Sequence, residues 1–288
     1  MDKEERQRLL NRLGHIPGKP GFKRRARIHQ GWWRMNVLME KPGPHPREKD
    51  ENVCNTILGG QTSKKNFLTE NTMKAVEQTL SSRKPSDPGM VDKDRLYNNL
   101  LSSQPLCFNF FGELMMDTEF GLKILQNWWP DITLLRKVIF EYAPDERYTN
   151  DNSAFDVAFE VEAGDRIGLI GLECKYTDSF SASKYAKQEY KEIFSKATSF
   201  RASYKEFITS RYNQLFRNQQ LAEALLQNNK YKFVHTGLFC YHHDLQALHI
   251  AEEFKNMLVD PSAFKVITYS DFIGCIQRMN LVLTLCSI

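Results

Sequence analysis

The sequence SAFDVAFEVEAGDRIGLIGLECKYT, residues 153–177, decides how the chain folds. Two largely apolar runs flank Gly164-Asp165, a dipeptide suited to a two-residue hairpin loop because glycine accepts positive φ without a steric cost. A loop centred there pairs residue 163 with residue 166 and, counting outward, Asp156 with Glu173. The stretch therefore predicts two antiparallel strands in a fixed register, which an extra bulge residue would break.

This register gives the two faces of the hairpin different characters, because side chains alternate along a strand. One face is expected to enter the core, and it carries Phe155, Val157, Phe159, Val161, Ile170, Leu172 and Cys174. The other face carries Asp156, Glu173 and Lys175. Beside them stand small residues that are expected to leave room for a substrate backbone: Ala154, Ala158 and Gly171.

The paired carboxylates predict a cation site. Two carboxylates directly opposite each other lie about 4.5–5.5 Å apart at Cβ and repel. A hard divalent ion such as Mg²⁺ relieves this repulsion by taking both as oxygen ligands. Lys175 is placed to orient or deprotonate a water, or to stabilise developing negative charge. The alternative is a structural cluster of ion pairs, which would show no stabilisation by divalent ions.

The pattern Asp156…Glu173-Cys174-Lys175 resembles the D…ExK core of the PD-(D/E)xK nuclease superfamily, with Phe155 in place of that superfamily's proline. Over roughly residues 20–275, the chain is similar to the bacterial restriction-endonuclease-like branch of this superfamily. The segments that carry the similarity are SQPLCFNFFGEL, FEYAP, SAFDVAFEV, IGLECKYTDSF and QLFRNQQLAEAL. The resemblance implies a restriction-endonuclease-like α/β fold and phosphodiester hydrolysis with Mg²⁺ or Mn²⁺. Asp156 and Glu173 would be metal ligands and Lys175 a catalytic residue, and superfamily members usually leave a 5′-phosphate.

The resemblance also adds site candidates outside the hairpin. Glu113, in a predicted helix, is expected to reach the metal as a helical glutamate does in many relatives; otherwise it is a solvated surface acid. Glu141 matches the FEYAP segment and is a candidate metal ligand, or else an ordinary charge at the end of a strand. Polar residues of a later helix are expected to face the catalytic sheet: Gln214 as a catalytic candidate, and Arg217 and Asn218 as nucleic-acid contacts.

Positive charge is concentrated near the start of the chain. Nine lysines and arginines and no acid lie between Arg6 and Met39, whereas the formal net charge of the whole chain is only +4. Such a segment predicts a polyanionic partner. Phosphate contacts are expected from Lys23, Arg24, Arg25, Arg27 and Arg34, with Trp32 and Trp33 packing on bases or sugars. The alternative is a helix that buries its tryptophans and leaves its arginines in water.

Composition limits the remaining classes of protein. The chain has 288 residues, 41% of them hydrophobic, which is enough for a sizeable core. No run of 18 apolar residues occurs, so no membrane span is expected, and the charged N-terminus does not resemble a secretory signal. The six cysteines are scattered without a metal-binding spacing, which favours reduced thiols and a cytoplasmic location.

The rest of the chain predicts helices and strands around the hairpin. Helices are expected over residues 2–13, 70–82, 183–209, 212–228, 246–258 and 271–283, the last capped by Asp271, with others within 102–125. Strands are expected over residues 137–142, 232–241 and 264–269. The polar, proline-rich residues 40–52 predict an exposed loop. This order of elements predicts a mixed sheet flanked by helices.

These observations predict a nuclease-like α/β core over residues 101–288 and a basic region of helices and loops over residues 1–100. The predicted function is metal-dependent, endonucleolytic hydrolysis of DNA, with RNA left open as a substrate. The alternative is a protein that keeps the nuclease fold and binds nucleic acid without cleaving it. A homodimer is a further expectation, since double-strand cutters of this fold often dimerise.

Overall fold

The computed structural model describes residues 2–14, 21–45, 52–83, 91–181 and 186–279. Its α-helices are α1 (Lys3–Arg12), α2 (Gly21–Trp33), α3 (Gly60–Ser63), α4 (Glu70–Ser82), α5 (Lys93–Asn98), α6 (Ser103–Met116), α7 (Thr118–Leu125), α8 (Gln188–Lys196), α9 (Tyr204–Phe207), α10 (Asn213–Gln227), α11 (Leu245–Asn256) and α12 (Tyr269–Arg278). A π-helical turn, Arg34–Leu38, extends α2, and a 3₁₀ turn, Pro261–Ala263, precedes the last strand.

The strands form two sheets. The smaller sheet pairs β1 (Pro42–Pro44) with β2 (Asn52–Ile57). The larger sheet has the order β3-β4-β5-β6-β7, with β3 (Leu134–Tyr142), β4 (Phe155–Ala163), β5 (Arg166–Lys175), β6 (Phe233–Cys240) and β7 (Phe264–Thr268). Strands β3, β4 and β5 are antiparallel, whereas β5, β6 and β7 are parallel. A mixed sheet flanked by helices confirms the predicted restriction-endonuclease-like α/β fold.

The hairpin of β4 and β5 has the register that the sequence predicts. Ala163 pairs with Arg166 around the turn, and Val157 pairs with Leu172 near the other end. Gly164 adopts a φ of +63°, which a glycine reaches without strain. The pairing ends at Val157 and Leu172, and beyond it the Asp156 carboxylate accepts a hydrogen bond from the backbone N–H of Cys174, the residue after Glu173.

Helices cover both faces of the large sheet. Helices α6, α7 and α12 pack on one face, and the hairpin residues in their cluster are Val157, Phe159, Val161, Ile170, Leu172 and Cys174. Helices α10 and α11 cover the other face, the first packing on β5 and β6 and the second on β6 and β7. The predicted core face of the hairpin is therefore confirmed for these six residues.

Phe155 is the exception to the predicted alternation. It packs with Tyr142 on the α10 side of the sheet, whereas Phe140, two residues before Tyr142, lies on the α6 side. Between them Glu141 has a φ of +50°, and this left-handed residue changes the direction of the strand. The Phe155 ring covers Gly171, so the expectation of an open space for a substrate backbone beside that glycine is wrong.

The helix predicted over residues 183–209 is interrupted. Helix α8 ends at Lys196, and Ala197 is extended with a ψ of 144°; residues 182–185 lie outside the described chain. Phe200 forms a β-bridge with Leu258 and stacks on Phe194, so burial of this ring sets the break. A charged helical pattern does not show such a tertiary contact.

Two further expectations are corrected near the ends of the chain. Part of the predicted loop over residues 40–52 forms β1 and the start of β2, with residues 46–51 outside the described chain. Thr268, not Asp271, is the N-cap of α12, and Asp271 completes a capping box with it.

Residues of the N-terminal region share a core with the large sheet. Phe67, Val76 and Leu96 belong to the same apolar cluster as Phe108 of α6 and Val157 of β4. The division of the chain near residue 100 stays a prediction. Over the described residues, no helix is long and apolar enough to cross a membrane.

Candidate active site

Three carboxylates lie at one edge of the large sheet. Glu141 is the second-last residue of β3, Asp156 is the second residue of β4, and Glu173 lies two residues before the end of β5. Because these three strands alternate in direction, the end of β3, the start of β4 and the end of β5 share an edge. The backbone N–H of Cys174 donates to Asp156 Oδ2 at 2.6 Å, which fixes that carboxylate beside β5.

Lys175 and Glu173 form a buried ion pair held by helix α10. Lys175 Nζ lies 2.9 Å from Glu173 Oε1. Both residues are buried, with Lys175 only 4% and Glu173 only 6% exposed. Gln214 bridges them: its Oε1 accepts from Lys175 Nζ at 2.8 Å, and its Nε2 donates to Glu173 Oε1 at 3.1 Å. Asn218, one turn later on α10, donates to Glu173 Oε2 at 2.9 Å. Both predicted catalytic residues of β5 are therefore fixed in place.

The electrostatics show an excess of negative charge. Burial, followed by repulsion from Glu173 and Glu141, raises the pKa of Asp156 well above its ordinary value. Burial also raises the pKa of Glu141 to about 7, with Glu173 adding to the effect. Burial alone would lower the pKa of Lys175, but Glu173 and Asp156 outweigh it and the net pKa is raised. The lysine is therefore held in its charged form, while the carboxylates resist being charged together.

The donor set fits an open site for a hard divalent cation. Among the described residues, no three His, Cys, Asp or Glu side chains are arranged to enclose a metal ion. Mg²⁺ is commonly held by one or two carboxylates and completed by waters and substrate phosphates, so it does not need a closed protein cage. A cation beside Asp156, Glu173 and Glu141 would also relieve the repulsion that raises the pKa values of Asp156 and Glu141.

The structure places Glu113 away from this edge. Its carboxylate accepts from Thr69 Oγ1 at 2.6 Å and from Asn71 Nδ2 at 2.8 Å, at the start of α4. The residue of α6 that reaches the carboxylates is Gln104, whose Nε2 donates to Glu141 Oε1 at 2.6 Å. Nine residues separate Gln104 from Glu113, about 14 Å along a helix. Gln104 is one of the few polar residues of α6 and lies in its first turn, which was the available signal for it.

The predicted nucleic-acid contacts of the basic segment divide into two groups. Arg24 and Arg25 are exposed on α2, and Lys23 Nζ donates to Ser179 Oγ at 2.8 Å, four residues after the end of β5. Arg27 is half-buried, and burial lowers its pKa. Arg34 is buried and donates to the backbone carbonyls of Cys54 and Glu40, so it stabilises the small sheet. The expectation that Arg34 contacts phosphate is therefore wrong.

The two predicted contacts on α10 also point inward. Arg217 donates to Ser153 Oγ at 3.1 Å and to the Tyr190 hydroxyl at 3.2 Å, and it pairs with Asp151 at 3.6 Å. These bonds tie α10 to the loop before β4. Asn218 contacts Glu173, so the structure brings it to the acidic site as the sequence expects of its helix, but not as a surface contact.

A segment missed by the sequence analysis connects the site to α6. Asp178, three residues after Lys175, accepts from the backbone N–H of Ser103 at 3.2 Å and from Arg95 Nη2 at 2.9 Å. The backbone N–H of Ser181 then donates to Gln214 Oε1 at 2.9 Å. The segment from 176 to 181 therefore passes over the end of the sheet and is anchored on both sides.

Acidic residues and a lysine at one edge of a mixed sheet place this molecule in the class of restriction-endonuclease-like folds with a candidate metal site. A family model described as the PD-(D/E)XK nuclease superfamily matches residues 17–283. The chain belongs to the PD-(D/E)XK nuclease superfamily. Its branch within the superfamily stays a prediction. No curated protein and no solved structure gives a significant match to the chain.

Proposed function

We propose that this protein is a divalent-metal-dependent nuclease that hydrolyses phosphodiester bonds within DNA. The observation that carries the proposal is the convergence of Glu141, Asp156 and Glu173 at one sheet edge, with Lys175 bonded to Glu173. Repelling carboxylates beside a fixed cationic side chain support metal-assisted hydrolysis better than they support a purely structural role.

Asp156 and Glu173 are the residues that would hold Mg²⁺ or Mn²⁺, and Glu141 adds negative charge beside them. The cation would activate water and stabilise negative charge on the reacting phosphate. Gln214 and Asn218 orient Glu173, since both carboxylate oxygens of this residue accept hydrogen bonds from α10. Such supporting bonds keep a ligand in a defined direction before an ion arrives.

Lys175 acts as a charged donor in this proposal. Its raised pKa keeps the ammonium protonated near neutral pH, which favours stabilisation of the phosphate oxygens over removal of a proton from water. In the reaction, a water oxygen bonds to phosphorus and the bond from phosphorus to the 3′ oxygen breaks. The products are a 5′-phosphate and a 3′-hydroxyl, whose oxygen takes up one proton in balance with the proton that the attacking water loses.

Helix α2 supplies the contacts to the DNA backbone. Arg24 and Arg25 are exposed, and Lys23 contacts the segment after Lys175, so the basic surface begins beside the acidic edge. Lysine and arginine contacts to phosphate give affinity without sequence preference. We further propose a homodimer for cutting both strands, and a cytoplasmic location.

The proposal is tested with supercoiled plasmid, linear duplex and single-stranded RNA, each with Mg²⁺, Mn²⁺ or EDTA. The wild type is expected to nick or cut the plasmid only with a metal ion. Glu173→Gln and Lys175→Met keep the size of each side chain and are expected to abolish cleavage. Glu162→Gln is the matched control, because Glu162 lies on the same hairpin but pairs with Arg136 far from the acidic edge.

Three outcomes would separate the candidate functions. Full activity of Glu173→Gln or Lys175→Met would refute the proposed roles. Salt-sensitive DNA binding without metal-dependent cleavage would favour a binding protein that keeps the nuclease fold. Cleavage of RNA but not of DNA would correct the substrate and leave the site intact.

A further inference from the structure

A second site is indicated by tyrosines that follow the three parallel strands. Tyr176 comes directly after β5, Tyr241 after β6 and Tyr269 after β7. The last residues of these strands are paired in register, so the tyrosines stand side by side across the carboxyl edge of the sheet. The Tyr269 ring lies 6.5 Å from that of Tyr176 and 6.0 Å from that of Tyr241. The carboxyl edge of parallel strands is where α/β proteins bind ligands.

The tyrosines line a cavity of about 520 Å³ between this edge and helices α2 and α6. A volume of about 300–1,000 Å³ is typical of small-molecule sites. Further aromatic walls come from Phe22 and Trp33 of α2 and from Phe110 of α6. The flat faces of such side chains stack on nucleobases of any type. The cavity is therefore suited to a planar heterocycle.

The rim of the cavity favours an anion. The cations that line it are Arg25, which is exposed, and Lys65, which also pairs with Glu40 at 3.1 Å, and none of its described lining residues is acidic. The amide of Gln30 also reaches the lining, where Nε2 donates to the Tyr176 hydroxyl at 3.0 Å. A planar ring between aromatic walls and an anionic group at a basic rim are the two parts of a nucleotide.

The cavity is connected to the catalytic strand. Tyr176 is the residue after Lys175, and the Tyr269 hydroxyl donates to the main-chain oxygen of Lys175. Lys23, next to the cavity residue Phe22, contacts Ser179. Because side chains alternate along a strand, Tyr176 points into the cavity while Lys175 points to α10. A ligand in the cavity would therefore lie across the sheet edge from the proposed cleavage site.

We propose that this cavity binds one nucleotide, with its base between the aromatic walls and its phosphate at Arg25. The inference rests on the proposed nuclease function only for the source of the ligand. One source is a nucleotide of the DNA strand turned out of the base stack beside the cleaved bond; the other is a free mononucleotide. Extruding a base costs a few kcal/mol, which is least in a single strand.

Equilibrium dialysis of the full chain in EDTA tests the free ligand, with deoxyadenosine monophosphate and deoxyadenosine as probes. Trp33→Ala removes a wall and is expected to weaken nucleotide binding about fivefold to about 140-fold, the range for loss of one stacking partner. Trp32→Ala is the matched control, because this neighbouring tryptophan is exposed and does not line the cavity.

Arg25→Ala provides a second variant on an exposed residue, which keeps the test valid if Trp33→Ala does not fold. It is expected to weaken the nucleotide about tenfold or more, as for loss of a hydrogen bond to a charged group, and to leave the nucleoside unchanged. A nucleotide of the DNA strand is tested as the ligand with 2-aminopurine at successive positions of a single-stranded oligonucleotide. Its fluorescence reports when a base leaves the stack of its neighbours. The expected result is a change at one position in the presence of the wild type that is lost with Trp33→Ala.

The proposal is overturned if neither the dialysis nor the 2-aminopurine fluorescence distinguishes Trp33→Ala or Arg25→Ala from the wild type. An effect in the dialysis alone assigns the cavity to a free nucleotide, and an effect in the oligonucleotide assigns it to the substrate strand; both support a nucleotide site. Because both arms are run in EDTA, they give a result whether or not the protein cleaves DNA.

Discussion

Replacing Glu141 by glutamine is expected to stabilise the folded protein at alkaline pH. Burial raises the pKa of this carboxyl from 4.5 to about 7. Between these two values the folded protein holds a proton that the unfolded chain has lost, so stability falls by about 1.36 kcal/mol per pH unit. The total loss is about 3 kcal/mol, complete above pH 7 and absent below about pH 4.5.

Glutamine at position 141 resembles the protonated acid and still accepts the hydrogen bond from Gln104. At pH 8 the variant should therefore be about 3 kcal/mol more stable than the wild type, or melt about 5 °C higher, whereas at pH 4 the two should be alike. Urea unfolding in EDTA at both pH values measures the difference. Divalent ions should reduce the difference in unfolding free energy between the two proteins, because a cation stabilises the charged carboxylates of the wild type.

The matched control is Glu162→Gln, which removes a partly exposed ion pair with Arg136 on the same sheet. It should lower stability by about 1 kcal/mol or less, with no gain at alkaline pH. If Glu141→Gln is no more stable than the wild type at pH 8, then burial does not raise the pKa of Glu141 in the folded protein as described.

Three further predictions concern residues whose roles the structure separates. Asn218→Ala should lower metal-dependent cleavage about 10–100-fold in a protein that still folds, because Glu173 loses one orienting bond; nicking rates at increasing Mg²⁺ measure this. Arg34→Ala should lower the free energy of unfolding by about 1.5–3 kcal/mol without changing the salt dependence of DNA binding. Arg24→Ala should instead reduce the slope of log affinity against log salt concentration by about 0.9. Glu113→Gln should keep the cleavage rate and lower the melting temperature, measured by plasmid nicking and thermal unfolding.

Each of these has an outcome that contradicts it. A normal nicking rate for Asn218→Ala would show that the bond to Glu173 has no part in the reaction. An unchanged stability of Arg34→Ala with a smaller salt slope would return this arginine to the DNA surface. Loss of cleavage in stably folded Glu113→Gln would restore the role that the superfamily resemblance implied for it.

The register of the central hairpin could be predicted because a single turn determines it. Once Gly164-Asp165 forms a two-residue loop, every pair outward to Asp156 and Glu173 follows from counting. The start of α4 was predictable for a similar reason, since Thr69 caps the helix with a bond to a residue three positions on. Both features depend on residues that are close in sequence.

Features that depend on distant partners could not be predicted in this way. The change of face at Phe155 accompanies the left-handed conformation of Glu141 on the neighbouring strand, which glutamate rarely adopts and which no local motif indicates. Arg34 looked like a surface cation because one of its carbonyl partners, Glu40, belongs to a predicted loop, and the other, Cys54, belongs to a strand that the sequence did not predict. The choice of Gln104 over Glu113 depended on which turn of α6 meets the sheet edge, and helical spacing alone does not decide that.

Binding of a divalent ion to the carboxylates at the sheet edge is the most direct test of the proposed active site. Mn²⁺ is titrated calorimetrically into metal-free protein, into Asp156→Asn and into the control Glu162→Gln. We expect saturable binding to the wild type and the control that Asp156→Asn weakens at least about tenfold, as expected for loss of a charged ligand. Equal binding by all three proteins, or binding by none of them, would contradict a metal site at Asp156 and Glu173.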